Sequence, residues 1–233
     1  GITISFDQTN HQAVAQMRQA SLRMVAEFTS GQRASTKQAL IEGIRQGLNP
    51  REQAKLFRTS IGLTAKQMRA VANYRRLLET GNAQALQRAL RDRRFDSTVR
   101  QAIAGDKTLS SEQIDRMVDR YYQRSLIYRS QTIARTESLA AVHQGSDAAF
   151  LQAIEQGVID EELSQTWLTA GDSRVRHPSH TAMNGQVRPL GQPFLSGFGN
   201  LLRYPGDVRA PASDTVDCRC VKTTRFTTDL DAA

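Results

Sequence analysis

The chain has 233 residues, of which 39% are apolar and 23% charged, and its formal net charge is +8. This length and composition exclude a disordered polar chain and allow one large or two small domains with real cores. No apolar run approaches the roughly 20 residues that a membrane-spanning helix needs, and the first residues lack the features of a signal peptide. We therefore expect a soluble, unexported protein that does not bind membranes.

Charge and turn-forming residues divide the sequence near residue 158. Residues 158–233 hold eight Lys and Arg and nine Asp and Glu, so 23 of the 31 basic and 14 of the 23 acidic side chains lie in residues 1–157. Five of the six prolines fall in the last third. These shifts predict a basic all-helical domain over residues 1–157 and a compact C-terminal module over residues 158–233. The predicted fold class is α+β.

Residues 1–157 have the pattern of successive helices. Apolar residues at near-helical spacing predict a first helix that ends at residues 29–31; they are Val14, Met17, Leu22, Val25 and Phe28. Capping patterns predict three further helix starts, at Asn49-Pro50 with Glu52, at Thr64 with Gln67 and at Ser110 with Gln113. The last of these helices is predicted to be long, with a kink or break at Gly145.

The C-terminal module changes to alternation and turns. Residues 166–169 and 215–222 read as short strands, and Asn184-Gly185 is a turn signal. Residues 191–214 form a loop that is too long to be without a role in a small domain. We expect a small β-rich or α+β module.

The module holds both cysteines and two of the four histidines. In a strand, Cys218 and Cys220 point to one face, and a turn between His177 and His180 brings their side chains to one side. Two imidazoles and two thiolates form the ligand set of a closed structural zinc site. The alternative is that the cysteines are small buried apolar residues, while the histidines cap turns or pair with Asp172.

Several blocks in residues 131–222 resemble one family. They are IARTESLAAVHQG (133–145), W-x-T-x-x-D-S-R-V-R-H-x-x-H (167–180), NGQV (184–187), YPGD (204–207) and DCRC (217–220). In order and spacing they resemble the C-terminal region of the Mu F-like phage minor head proteins, also called head morphogenesis proteins. Many relatives resemble this pattern with C-x-x-C where this chain has His177 and His180, which is expected of metal ligands.

The resemblance implies a virion component that joins the prohead at or near the portal vertex during assembly. Its partners would be portal or capsid proteins, and in some relatives packaged double-stranded DNA. It would be found in the host cytoplasm during assembly and afterwards in the capsid interior or at the portal. We therefore expect a structural protein and no enzyme. The alternatives are a metal-dependent nuclease or hydrolase module and a DNA-binding protein unrelated to capsids.

Arginines in the helical part are candidates for DNA contact. One group crowds a short segment and the other lies at four-residue spacing on the long helix; the candidates are Arg88, Arg91, Arg93, Arg94, Arg116, Arg120 and Arg124. Such a face suits a phosphate backbone. A solvated face or a subunit contact, with Asp115 and Asp119 neutralising the stripe, is the other interpretation. Residues 50–79 also have the rhythm of a helix-turn-helix.

Five further residues are expected to support the module. Trp167 is predicted to anchor its core, because its large apolar surface would otherwise be exposed. Asp172, Arg174 and Arg176 are expected to fix the loop that carries His177. Glu137 either pairs with one of those arginines or forms an ion pair on its own helix.

Overall fold

The computed structural model describes residues 11–19, 22, 28–159 and 162–226. Within them the α-helices are α1 (His11–Gln19), α2 (Ser30–Arg45), α3 (Pro50–Phe57), α4 (Ala65–Glu79), α5 (Asp96–Ala104), α6 (Ser111–Glu155) and α7 (Ala212–Thr215). The strands are β1 (Leu163–Leu168), β2 (Val187–Pro189), β3 (Phe194–Leu195), β4 (Leu201–Leu202) and β5 (Val221–Phe226). The predicted α+β class is confirmed. No helix in the described ranges combines the length and apolar character needed to span a membrane.

The chain forms two compact units. One unit is Phe57–Gln131, and the other joins Gly1–Leu56 to Thr132–Ala233. This division differs from the boundary that composition places near residue 158. The reason is that α6 contributes to the C-terminal module after Thr132: Arg135 pairs with Asp217 at 2.5 Å, and Thr136 accepts a hydrogen bond from the Asp217 backbone N–H.

The three predicted capping patterns are confirmed. Asn49 Oδ1 accepts hydrogen bonds from the first turn of α3, and Glu52 reaches back to the Asn49 N–H. Thr64 and Gln67 form a reciprocal capping box before α4, and Ser110 and Gln113 exchange the same two hydrogen bonds at the start of α6. These signals succeed because each bond joins residues only two or three apart.

Two helix-boundary predictions are wrong. Thr29 does not end a helix; it is the N-cap of α2, and with Gln32 it forms a capping box. Part of the first predicted helix, including Val25, lies outside the described residues. The long helix α6 continues through Gly145 to Glu155 without a break. A single glycine costs about 1 kcal/mol in a helix, which the packing of so long a helix can offset.

The unit Phe57–Gln131 has its own apolar core. Tyr74 and Tyr121 stack at its centre, with ring centroids 4.5 Å apart. Burial raises the pKa of Tyr74 to about 12. At the rim, Arg91 forms a bidentate ion pair with Asp96, with both N–O distances at 2.9 Å. This unit therefore contains buried apolar packing that does not involve the C-terminal module.

The C-terminal module is built on a three-stranded antiparallel sheet with the order β2-β1-β5, and β3 and β4 form a separate hairpin. Its core contains Trp167, Met183, Phe194, Leu202, Ala210, Cys218 and Cys220. The strand predicted over residues 215–222 is wrong in its start. Residues 212–215 form α7, and β5 begins only at Val221. Both cysteines therefore precede the strand.

Gly197 allows two segments of the module to approach closely. A β-carbon at this position would overlap the carbonyl oxygen of Pro178, a backbone atom that cannot move aside. The Gly197 N–H also donates to the Ser179 carbonyl at 2.9 Å. Glycine is thus required at residue 197, because the backbone there packs closely against the segment that leads into His180.

We expect Gly197→Ala to destabilise the protein by about 1–3 kcal/mol, because the added carbon overpacks a fixed backbone contact. Urea unfolding followed by circular dichroism measures this change. Gly62→Ala is the control, since no atom lies within 4 Å of a β-carbon there. Equal stability of the two variants would contradict the close approach.

Candidate metal centre

Three side chains in the module form a buried cluster that could hold a metal ion. They are His180, Cys218 and Cys220, and their ligand atoms all lie within 4.8 Å of one another. His180 Nδ1 is 3.3 Å from Cys220 Sγ and 3.8 Å from Cys218 Sγ. In a tetrahedral zinc site the nitrogen-to-sulfur separation is about 3.6 Å, from the usual Zn–N and Zn–S distances. The observed distances lie on either side of that value.

The orientation of His180 suits metal binding through Nδ1. Its other ring nitrogen, Nε2, lies 2.8 Å from the backbone oxygen of Asp214. A carbonyl oxygen only accepts, so Nε2 must carry a proton, and in the neutral imidazole Nδ1 then presents a lone pair toward the sulfurs. Histidines that ligate metals usually donate their second N–H in this way. The tautomer required of a ligand is therefore already set by the fold.

Asp214, whose backbone oxygen orients His180, is itself held in place by hydrogen bonds to its side chain. Its side chain is fully buried and accepts hydrogen bonds from Ser179 Oγ at 2.7 Å, Asn200 Nδ2 at 2.8 Å and Ser196 Oγ at 3.3 Å. These three donors come from the His180 segment and from the β3–β4 hairpin. A buried carboxylate with three donors is stable where it stands, so the carbonyl that orients His180 is held in place.

The two cysteine side chains shift each other's pKa. The pKa of Cys218 is lowered to about 5, chiefly because Cys220 hydrogen-bonds to its thiolate. The pKa of Cys220 is raised for the same reason, with burial adding to the effect. The Cys220 backbone N–H also points at Cys218 Sγ, 3.4 Å away. The hydrogen bond between the sulfurs therefore favours a thiolate at Cys218 and a thiol at Cys220, and loss of the second proton requires a cation.

Trp167 gives an independent test of whether a thiolate site fits. Its side chain is fully buried in the same core as both sulfurs, and it contacts the His180 ring edge-on at 5.9 Å. The indole Nε1 makes no hydrogen bond of good geometry in the described part of the chain, although its N–H is close enough to Cys220 to favour the thiolate there. A buried N–H without a partner costs about 1–3 kcal/mol, and ionised sulfur is a better acceptor than a thiol. The residues present thus fit a metal–thiolate centre.

His177 does not join the cluster, which corrects the predicted set of four ligands. Its side chain is exposed, and Nδ1 lies 3.1 Å from Thr181 Oγ1. The prediction assumed that a turn or helix start brings side chains three residues apart to one side. A turn does form over residues 177–180, before a short 3-10 helix at Thr181–Met183, but within it His177 is exposed while His180 is buried, so the two imidazoles separate.

The loop that leads to His180 is fixed by Arg219, a residue that the sequence did not mark as part of the site. Arg219 lies between the two cysteines and makes a bidentate ion pair with Asp172, with both distances 2.6 Å. Asp172 also accepts from the backbone N–H and guanidinium of Arg174. These contacts, led by Arg219, lower the pKa of Asp172. Arg176 donates to the Val216 carbonyl, and Glu137 is buried.

A second polar group is buried beside the module sheet. The ammonium of Lys222 on β5 pairs with Asp147 on α6, and Arg203 forms an ion pair with Asp207 at 3.0 Å. His143 is buried one helical turn before Asp147, and its Nε2 has no hydrogen-bond partner among the described residues. Burial, with the charge of Lys222, lowers the pKa of His143 to about 3.

The arginines proposed for DNA contact divide into two groups. Arg91 and Arg94 are paired with Asp96 and Asp92, and Arg88 is half-buried. The exposed group comprises Arg93, Arg116, Arg120 and Arg124. Within the described ranges none of these four forms an ion pair at 4.0 Å or less, and Asp115 pairs with Arg75 instead. A groove lined by Arg94, Phe95, Asp115, Arg116, Asp119 and Arg120 borders this face.

Sequence reasoning missed Asp214, Ser196, Asn200 and Lys222. Nothing local marks them, because each acts through a partner at least 14 residues away. One usable signal was the length of the loop at residues 191–214. It contains Ser196, Asn200 and Asp214, all of which support His180.

Comparison of the sequence with protein-family models gives no match, and neither curated proteins nor solved structures match it. The site is therefore interpreted from its own geometry and chemistry.

We expect His143 to make the protein sensitive to acid. The folded-state pKa of about 3 lies below the ordinary value of 6.5, so between these values the unfolded chain binds the extra proton. Stability is complete above pH 6.5 and is lost as the pH falls toward 3. Relative to pH 7, the His143 contribution at pH 5 is a loss of about 2 kcal/mol.

His143→Leu should remove this contribution while leaving stability at pH 7 similar or higher, because it deletes a buried group without a partner. Urea unfolding at pH 7 and pH 5 measures the difference between wild type and variant. His11→Gln, which changes an exposed histidine, is the control. If all three proteins lose the same free energy on acidification, the assignment to His143 is wrong.

Proposed function

We propose that this protein is a minor head protein of a tailed phage or prophage, acting by binding during head assembly, and that zinc stabilises its C-terminal module. The supporting observation is that all five sequence blocks of the resemblance lie in one unit and contact one another, and that two of them supply His180, Cys218 and Cys220. A set of blocks that forms one structure is better support for a shared fold than blocks scattered over the surface.

The contacts between the blocks are specific. In the first and last blocks, Arg135 pairs with Asp217, and Thr136 accepts from the Asp217 N–H at 2.9 Å. In the second and third, Thr169 N–H donates to Asn184 Oδ1 at 2.9 Å. The YPGD block lies against α6, since a β-carbon on its Gly206 would be 3.3 Å from the backbone nitrogen of Ala140.

Zinc is the metal we propose because the donors are one imidazole and two sulfurs. This borderline-soft set suits zinc, while calcium and magnesium prefer oxygen. His180, Cys218 and Cys220 would hold the ion, and the module core around them is small. A bound metal would add folding free energy that this core lacks.

A metal-dependent hydrolase or nuclease is the second candidate function, and the number of metal ligands in the cluster supports it. Four protein ligands would close the site, but the cluster supplies three. Catalytic zinc sites characteristically have three protein ligands, and zinc bound there would supply Lewis acidity. Asp217 and His180 both line the pocket beside the cluster, where a substrate would have to bind.

Contact with DNA is proposed for the helical unit. The exposed arginines of α6, namely Arg116, Arg120 and Arg124, recur every four residues and have no carboxylate partner among the described residues. Such a row can follow phosphates, with an affinity that falls as salt rises.

The metal proposal predicts that His180→Gln, Cys218→Ser and Cys220→Ser each abolish stoichiometric zinc binding. Excess zinc should stabilise the wild type by about 3–4 kcal/mol when free zinc is a hundred to a thousand times Kd, and should not stabilise the variants. Zinc content and thermal melting with and without chelator measure this. His177→Gln is the matched control and should retain zinc, since that imidazole lies outside the cluster. Chelator-independent melting of the wild type would refute the proposal.

The assembly role is tested by locating the protein in assembled heads by electron cryomicroscopy and by binding to a purified portal ring. Density at the portal vertex is the expected result. The zinc-loaded protein is also incubated with duplex DNA. Cleavage that His180→Gln abolishes and His177→Gln retains would favour the hydrolase, whereas a protein absent from heads would contradict the assembly role.

A further inference from the structure

A small pocket opens beside the metal cluster and is rich in arginine. It has a volume of about 130 Å³, and His180 and Cys220 form part of its wall. Four guanidinium side chains line the rest, from α6, from the loop before His180 and from between the cysteines; they are Arg135, Arg174, Arg176 and Arg219. The only carboxylate among the lining residues is Asp217. Four cations around so small a space are unfavourable unless an anion is close.

The charges of the pocket do not cancel. Asp217 pairs with Arg135, and Asp172 pairs with both Arg174 and Arg219. Four guanidiniums against two carboxylates leave two positive charges. Arg176 forms no ion pair with a carboxylate in the described ranges; its one side-chain hydrogen bond is to the Val216 carbonyl. A divalent metal with two thiolates would add no net charge to this count, whereas a single thiolate without metal would lower it by one and still leave the pocket positive.

Most donors of these arginines are still available. Each guanidinium carries five N–H groups. Among the described residues, Arg135, Arg174 and Arg176 each use one side-chain nitrogen, and Arg219 uses two. The remaining N–H groups can converge on a ligand, and several charge-assisted hydrogen bonds to one oxyanion are strong.

The pocket is also held in shape before any ligand binds. The bidentate pair with Asp172 fixes the plane of Arg219. Asp217, which fixes Arg135, has a φ of 57°, a left-handed conformation that is uncommon outside glycine. Its backbone N–H is bound to Thr136. Strained residues of this kind persist where surrounding contacts impose them, often at binding sites.

From these observations we infer that the pocket binds a phosphate group. A volume of about 130 Å³ is well below that of sites for drug-sized ligands, so it suits an inorganic anion or one phosphate and excludes a nucleoside. A tetrahedral oxyanion can accept from several guanidiniums that approach from different directions, which a planar carboxylate does less well. This inference goes beyond the proposed function, and it does not require that the protein binds zinc.

The test is calorimetric titration of inorganic phosphate into the full chain at constant ionic strength, with and without zinc. We expect saturable binding of one phosphate per chain in both states and weaker binding of acetate. Arg176→Gln should weaken phosphate binding by roughly tenfold or more, the loss expected for hydrogen bonds to a charged group. Arg176→Lys, which retains the charge, should lose less.

Arg188→Gln is the matched control. Arg188 is a half-buried arginine on β2 that touches only the Val187 carbonyl and does not line the pocket. Its variant should bind phosphate as the wild type does. If Arg176→Gln fails to fold, Arg174→Gln replaces it, because that exposed side chain contacts only Asp172. Zinc content of each protein is measured separately, so loss of metal and loss of phosphate binding are distinguished.

Competition with a short DNA duplex identifies the source of the phosphate. Displacement of inorganic phosphate by the duplex would assign the pocket to the DNA backbone. Binding of phosphate without competition by DNA would assign it to a free phosphate or phosphate monoester. Absence of saturable phosphate binding, equal affinities for phosphate and acetate, or equal losses in the Arg176 and Arg188 variants would overturn the inference.

Discussion

The C-terminal module depends on the hydrogen bond between His180 Nε2 and the backbone oxygen of Asp214. In this bond Nε2 donates its proton to the carbonyl, so Nδ1 is the ring nitrogen that faces the two sulfurs. The same residue accepts from Ser179, Ser196 and Asn200 through its carboxylate. One buried aspartate thus orients the histidine and joins the His180 segment to the β3–β4 hairpin. Without it, three donors and an imidazole would be buried without partners, which is costly in a core of this size.

The consequence is that polar contacts specify the module more than apolar area does. Its sheet has three strands and its core seven fully buried apolar residues, two of which are cysteines. Fully satisfied polar networks select one arrangement of loops, whereas partly satisfied ones are worse than apolar packing. Two buried side-chain atoms lack a hydrogen-bond partner among the described residues of the module sheet: the indole nitrogen of Trp167, beside the sulfurs, and Gln165 Oε1. Ionised sulfur would be an acceptor for the Trp167 N–H, so this unsatisfied donor lies beside the proposed metal cluster.

The sequence was sufficient where the physics is local. Reciprocal caps at Thr64 and Ser110 were predicted because both partners are three residues apart, and the ligand types were predicted because only two cysteines exist. The sequence could not show which of His177 and His180 faces the cysteines, since the orientation of His180 depends on Asp214, 34 residues later. Thr29 is a different case: its capping box with Gln32 is local, but the apolar spacing before it favours a helix that ends at this residue. The division into units at residues 57 and 132 could not be predicted, because Arg135 and Thr136 look like ordinary helix residues until Asp217 is placed beside them.

The change from four ligands to three alters what the module can do. A closed site would have had only a structural role, and the expectation of no catalysis rested on that closure. With His177 turned to solvent, any metal held by His180, Cys218 and Cys220 would retain a position that no clustered side chain fills. His180 and Cys220 also line a pocket with two surplus positive charges. If both proposals hold, a metal held by His180 and Cys220 and an anion in the arginine pocket would share one wall, so a structural role and a ligand-binding role would be compatible in one site.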